Sequence, residues 1–374
     1  MLTHDELVPW LRLSLVKGLG PRGQIQLLRA LGEPVAIFAA PYEQLRALVT
    51  DPLAQTIVAT RELELPQIEM TLRWLNEPNR LILTLADEQY PKKLLDLPDP
   101  PCVLYAQGKL DFLNKPALSV VGSRNASAQG IQNAHSFAHY VSTQGVTIVS
   151  GLATGIDAAA HRGGLAGVGA SIAVVGTGLD RVYPASNHQL AHQLAADGLI
   201  LSELALGSPP KSEHFPRRNR MIAALGLGCL VVEAALGSGS LITARQALEL
   251  GREVFAIPGS IHSPLAKGCH QLIKNGAKLV ESGADIFEEL AAPLSLFELP
   301  KGSNAIEKKP KKAIEVDPIL CQMGWDPIEF DALIEVTGLT SEALCAILLG
   351  LELEGQISCL PGNRYQRLAG TGKS

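Results

Sequence analysis

The feature that most constrains this chain is a regular beat of short apolar runs between residues 118 and 280, separated mostly by helical stretches. The runs fall at 118–121, 146–149, 172–175, 199–202, 229–232, 254–257 and 278–280. Most are continuous rather than alternating, the pattern of strands covered on both faces. Helical periodicity fills intervals at 128–142, 155–166, 189–196 and 240–250. Strands joined in this way need crossover connections, which are right-handed in a parallel sheet. The expected fold class is therefore α/β, a doubly wound parallel sheet over residues 76–290 that binds its ligand outside the carboxyl ends of the strands.

The flanks have other textures. Residues 1–75 read as helical, with Leu11, Leu15 and Leu19, then Ile25, Leu27, Leu28 and Leu31, on either side of Lys17-Gly18-Leu19-Gly20-Pro21. Such a turn can lend N–H groups to a phosphate, but few bases flank it, and a small helical packing module accounts for it better. Residues 291–316 form a linker with Pro293, Pro300 and the basic run Lys308-Lys309-Pro310-Lys311-Lys312, a solvated spacer that could add weak phosphate affinity. Residues 317–368 read helix–helix–helix–hairpin, the order of a winged helix. Pro327-Ile328-Glu329 and Thr340-Ser341-Glu342 are expected to open helices, and Pro361-Gly362-Asn363 turns the hairpin.

The net charge of −5 argues against nucleic acid until it is divided. Residues 317–368 hold eight acids and two bases, so they account for −6 and the rest of the chain sums to +1. Binding depends on the local field, not the total. The six cysteines are scattered with no C-x-x-C pair, so neither a disulfide framework nor a metal site is expected. The start of the chain already carries Asp5 and Glu6, and no apolar run reaches the roughly 18 residues of a membrane span. A soluble cytoplasmic protein is expected.

Four small-residue loops carry the chemistry. The first strand ends in Gly122-Ser123-Arg124-Asn125 before a helix, so backbone N–H groups and the Arg124 fork can meet an anion; the alternative is a tight turn with a surface arginine. The second ends in Ser150-Gly151-Leu152-Ala153-Thr154-Gly155-Ile156-Asp157. There Asp157 and His161 share a helix face and are read as a hydrogen-bonded pair fixing the turn rather than as metal ligands. Residues 209–222 hold Lys211, Arg217, Arg218 and Arg220 against Glu213, a local +3. Pro216 suits a first helical turn, so Phe215 can offer a stacking face beside Arg217, Arg218, Asn219 and Arg220. A single strand needs that combination; a salt-bridged structural cluster is the alternative. A fourth loop, Gly237-Ser238-Gly239-Ser240, opens another helix as an anion nest. Several such loops on one sheet edge suit a polymer of phosphates better than one nucleotide. Gly370-Thr371-Gly372-Lys373-Ser374 lacks the leading glycine of a P-loop, and Gly176-Thr177-Gly178 lacks the third glycine of a dinucleotide fingerprint.

These segments together resemble the DNA-processing protein A (DprA/Smf) family. The matching motifs run in family order over about 90–280: Tyr90-Pro91-Lys92-Lys93-Leu94, Val121-Gly122-Ser123-Arg124, Ser150-Gly151-Leu152-Ala153, Gly155-Ile156-Asp157 to Ala160-His161, and Gly176-Thr177-Gly178 to Tyr183-Pro184. They continue with Phe215-Pro216, Arg218-Asn219-Arg220, Gly237-Ser238-Gly239-Ser240-Leu241-Ile242-Thr243-Ala244 and Ile257-Pro258-Gly259. The resemblance implies an extended Rossmann-like domain between an N-terminal helical (SAM/helix-hairpin-helix-like) domain and a C-terminal winged helix. It also implies a homodimer without cofactor or catalysis that binds single-stranded DNA, protects incoming strands and loads the RecA recombinase in natural transformation. By position Arg124, Phe215, Arg218 and Arg220 would contact the strand, helped by the glycine loops. His270 departs from the family, which usually has Asn there. An alternative is a nucleotide-processing enzyme resembling the lysine-decarboxylase-like (cytokinin-activating) group, but the catalytic glutamate expected close after Gly237-Ser238-Gly239-Ser240 is missing until Glu249.

Overall fold

The computed structural model describes residues 3–297, 299 and 318–368; most of the basic linker and the Gly370–Ser374 stretch lie outside them. Six helices come first: α1 (His4–Leu15), α2 (Pro21–Leu31), α3 (Pro34–Ala39), α4 (Tyr42–Arg46), α5 (Asp51–Thr60) and α6 (Pro66–Trp74). Thr3 opens α1 with a reciprocal capping box to Glu6, and proline stands in the first turn of α2, α3, α5 and α6, where its missing N–H costs nothing. Leu13, Leu27, Ile37, Leu45, Ala54 and Ile57 close a helical core of their own. Leu7, Trp10, Leu11, Ile68 and Trp74 pack instead against the neighbouring sheet.

That sheet has nine strands. Two precede the repeating unit, β1 (Arg80–Thr84) and β2 (Val103–Gly108). There follow β3 (Ala117–Val121), α7 (Ala128–Thr143), β4 (Thr147–Ser150), α8 (Ile156–Leu165), β5 (Ser171–Val174), α9 (His188–Asp197), β6 (Leu199–Ser202), α10 (His214–Leu225), β7 (Gly228–Val231), α11 (Gly239–Glu249), β8 (Glu253–Ala256), α12 (Lys267–Lys274) and β9 (Lys278–Leu279). The spatial order is β1-β2-β6-β5-β4-β3-β7-β8-β9. β3 to β9 run parallel, while β2 adds to β6 and β1 to β2 antiparallel. The sequence beat did not reveal β1 and β2, because the chain between them makes no crossover helix.

Residues of β3 alternate between two cores, as a period of two demands. Leu118 and Val120 face α7 and α8, together with Ile148, Leu230 and Phe255. Val121, Val149, Val231 and Ala256 face α10 and α11. The sheet is thus doubly wound and Rossmann-like. Winding reverses where β3 lies between β4 and β7, the topological switch point at which such sheets open a crevice.

After α13 (Gly283–Glu289) and α14 (Ala291–Leu294), the C-terminal unit comprises α15 (Pro318–Met323), β10 (Ile328–Glu329), α16 (Phe330–Thr337), α17 (Ser341–Leu353), β11 (Ile357–Leu360) and β12 (Arg364–Arg367). The expectation that Pro327-Ile328-Glu329 opens a helix is corrected. Ile328 and Glu329 pair antiparallel with Tyr365 and Arg364, and the helix begins at Phe330. Thr340 caps α17 through its side chain as expected. Leu333, Leu344, Leu348 and Ile357 form the small core of a winged helix. No single helix among the described residues is long and apolar enough to cross a membrane.

Candidate nucleic-acid interface

An open cavity of about 830 Å³ lies at the switch point, on the carboxyl ends of β3 and β7. Gly122, Ser123, Arg124 and Asn125 enter it after β3, Phe215, Arg218 and Asn219 from α10, and Gly237, Ser238, Gly239 and Ser240 from the start of α11. A side pocket of about 70 Å³ shares Arg124, Tyr183, Phe215 and Arg218 with it and adds Gly151 and Pro184. The structure therefore brings together loops more than a hundred residues apart in sequence. Arg217, Arg220 and Gly155 are not among the lining residues of either space.

The arginines divide. Arg124 is exposed, and its guanidinium sits 5.3 Å over the centre of the Phe215 ring. Phe215 in turn packs tilted against Tyr183, with centroids 5.7 Å apart. Sequence reasoning assigned no binding role to Tyr183, although an aromatic in a loop after a strand was the available signal. Arg218 does not project from the helix as the sequence suggested. It is only 5% exposed, donates from Nη1 to the Val174 carbonyl at 2.8 Å, and feels the charge of Asp157. Burial pulls its pKa down to about 10, against the opposing pull of Asp157. Burial likewise raises the pKa of Asp157, and Arg218 opposes that rise. Arg217 pairs with Glu203 through Nε at 3.0 Å. Arg220 pairs with the same carboxylate and donates to the Asp99 carbonyl at 2.8 Å. The +3 segment is thus largely neutralised by acids remote in sequence, and these two arginines fasten α10 to the body of the fold.

The backbone donors also divide. The N–H of Ser123 is spent on the Glu233 carbonyl at 2.8 Å. In the second loop, Leu152 N–H donates to His161 Nε2 at 3.2 Å and Ala153 N–H to Asp157 Oδ2 at 3.2 Å. Asp157 and His161 therefore fix the turn separately and not, as expected, as a pair bonded to each other. In the last loop the Ser238 and Ser240 hydroxyls lie 2.7 Å apart, bonded to one another. Among the described residues, the N–H groups of Arg124, Asn125, Gly237 and Gly239 carry no hydrogen bond, so donors for an anion stand on the two walls that flank the switch point. Gly151 and Gly155 act sterically. A Cβ on Gly151 would overlap the Arg218 guanidinium, and one on Gly155, whose φ is +73°, would overlap the Ser123 and Arg124 carbonyls. Both glycines let the buried arginine and the first loop close up under the cavity.

The arrangement presents one free guanidinium, an aromatic pair and two rows of unpaired N–H groups, with no cluster of metal-ligating side chains among the described residues. It can hold phosphates and the flat face of a base. Comparison with known proteins agrees in fold and motif. The family model for DNA recombination-mediator protein A matches residues 81–291, and that for the DprA winged helix domain matches 307–363. Protein Smf of Escherichia coli strain K12 is 40% identical over 364 residues, 96% of this chain and 95% of its own length. DNA processing protein DprA of Streptococcus pneumoniae strain R6 is 48% identical over 206 residues, 55% of this chain and 73% of its own. The X-ray structure of DprA from Streptococcus pneumoniae superposes with a TM-score of 0.68 at 37% identity, covering 77% of this chain and 98% of that one. A Helicobacter pylori DNA processing protein A, solved for its single-stranded DNA binding mode, gives 0.52 at 29% identity over 57% of this chain and 96% of its own. The chain belongs to the DNA recombination-mediator protein A family, DprA/Smf.

Proposed function

We propose that the chain binds single-stranded DNA in the cavity between β3 and β7, protects incoming strands and loads the RecA recombinase on them during transformation, without catalysing a reaction of its own. The observation that carries this reading is Arg124 poised over the Phe215–Tyr183 aromatic pair, between walls of unpaired N–H groups. Phosphates take the arginine and the N–H groups, and a base takes the aromatic or guanidinium face. Bases stacked in a duplex offer no such face, so a single strand fits and a duplex does not. The binding described for the Helicobacter pylori relative supports the same ligand class. The working unit is residues 76–290, flanked by the helical unit 1–75, the linker 291–316 and the winged helix 317–368. The enzyme reading finds little support, since Glu249 stands at the far end of α11 from the cavity loop.

The protein is proposed to act in the cytoplasm as a homodimer. An apolar groove of about 680 Å³ beside edge strand β9, formed by Leu236, Ile261, Ile273 and Leu279, is the face suited to a second copy; sedimentation of Leu279→Glu should then give a monomer. A gel-shift titration of single-stranded against duplex oligonucleotides, with and without RecA, tests the main reading. Tighter binding of the single strand and faster RecA filament growth on it are expected. Equal affinity for the duplex would overturn it.

A further inference from the structure

The segment 179–185 has two sides. Tyr183 and Pro184 line the side pocket beside Phe215, whereas Leu179, Arg181, Val182 and Ala185 line a separate groove of about 490 Å³ against α9 and the β1–β2 edge. Resting on the reading of the cavity as a single-strand site, we propose that a longer strand continues past Tyr183 into this groove, where Arg80 and Arg181 take its phosphates.

Beside apolar residues such as Leu179, Val182 and Ile200, the groove gathers Arg80, Arg181, His188, His192 and Gln107 around one acid, Asp180. That acid is already engaged: Oδ1 accepts from Gly207 N–H at 2.8 Å, and Oδ2 lies 3.5 Å from Arg181 Nε. Arg80 has no ion-pair partner among the described residues. Its guanidinium sits 5.4 Å over the centre of the Trp74 ring. Trp74 is itself buried, packed edge-on to Tyr105 at 6.1 Å, so it is Arg80 that meets solvent. A guanidinium seated over an indole and without a carboxylate partner keeps its N–H fork for a phosphate. His188 and His192 stand one turn apart on α9 with their Nε2 atoms 3.4 Å apart, adding polar groups along the groove wall.

The two sites are within reach of one strand. Arg181 lies two residues from Tyr183, at most about 7 Å along the backbone. The groove also joins two units that the cavity does not, since Trp74 ends α6 and Arg80 opens β1. The N-terminal helices thereby contribute to strand binding by seating Arg80 over Trp74, without meeting the cavity themselves.

Fluorescence-anisotropy titrations with labelled oligothymidylates of about 5 and about 20 nucleotides test this. The double variant Arg80→Ala/Arg181→Ala should bind the short oligonucleotide as the unaltered protein does. It should lose about tenfold in affinity for the long one, with a salt slope shallower by about 1.4, or 0.7 for each phosphate contact removed. Arg181→Ala alone leaves the Arg80–Trp74 packing in place and should show part of the same length-dependent loss. Unchanged affinity and slope on the long oligonucleotide would overturn the proposal, as would an equal loss at both lengths in the single variant. Arg124→Ala separates the two readings: if it leaves both lengths bound, the cavity reading fails and the groove fails with it.

Discussion

Arg124 and Arg218 border the same cavity and do opposite things. Arg124 is solvent-facing and free to pair with a phosphate, so Arg124→Ala should leave the melting temperature alone while weakening single-strand binding. Its salt slope should flatten by about 0.7 in a titration series, the loss of one phosphate contact. Arg218 is a buried tie from α10 to the carbonyl at the end of β5, and its charge opposes the burial of Asp157. Removing it leaves the buried Val174 carbonyl without that donor, a change that typically costs about 1–3 kcal/mol. Arg218→Ala should therefore show a clear drop in thermal stability that Arg124→Ala does not. Phe215→Ala should cost about 1–3 kcal/mol of binding if a base stacks there, read by the same titration; a loss under that range would place the base on Arg124 instead. Arg124 was legible in the sequence because a glycine turn after a buried strand has one natural outlet. The fates of Arg217, Arg218 and Arg220 were not, because they are settled by Glu203, Val174 and Asp99, between 14 and 121 residues away.

At the scale of elements, the turn between β4 and α8 shows how a motif can be read correctly as important and wrongly as to why. His161 is fully buried; its Nε2 accepts from Leu152 N–H, so Nδ1 carries the proton facing Ser171 Oγ at 2.7 Å. The ring is held neutral, and burial holds its pKa down at about 3. Between the ordinary value near 6.5 and about 3, the unfolded chain takes up a proton that the folded chain refuses. This contribution to stability is complete above pH 6.5 and drains away as the pH falls through that window, by up to about 1.4 kcal/mol per unit. Thermal melts should fall more steeply between pH 7 and 5 for the natural chain than for His161→Gln, whose amide can keep both contacts. Parallel slopes for the two would refute the assignment. The parallel strands β3 to β8 were legible because strands buried on both faces must be continuous apolar runs, whereas β9 is two exposed residues at the sheet edge. β1 and β2 are equally apolar, but they are joined by a proline-rich loop whose one helical piece is the short 3-10 turn Lys92–Asp96, so the alternation signal passed them by. Ile328–Glu329 was hidden for another reason: two residues are too few to show a period.

Over the whole molecule, charge and shape are segregated. The cavity and its neighbouring groove lie on the sheet unit, which with the N-terminal helices is close to neutral overall, and the acids collect in the winged helix. A winged helix that reads duplex DNA presents a basic helix to the groove. Here α17 carries Glu342 and Glu352 with no lysine or arginine, and it leaves Leu349 and Leu353 exposed. A strand of phosphates near that surface meets repulsion, whereas a protein with basic and apolar groups meets a match. Removing residues 317–374 should therefore leave single-strand affinity within about twofold and make its salt slope no shallower, because no phosphate contact is lost. If the winged helix held the strand, the same deletion would flatten the slope by the number of contacts it supplied. Equilibrium titrations of the full and shortened chains at several salt concentrations separate these outcomes. They do so without reference to the cavity, since Arg124 is present in both.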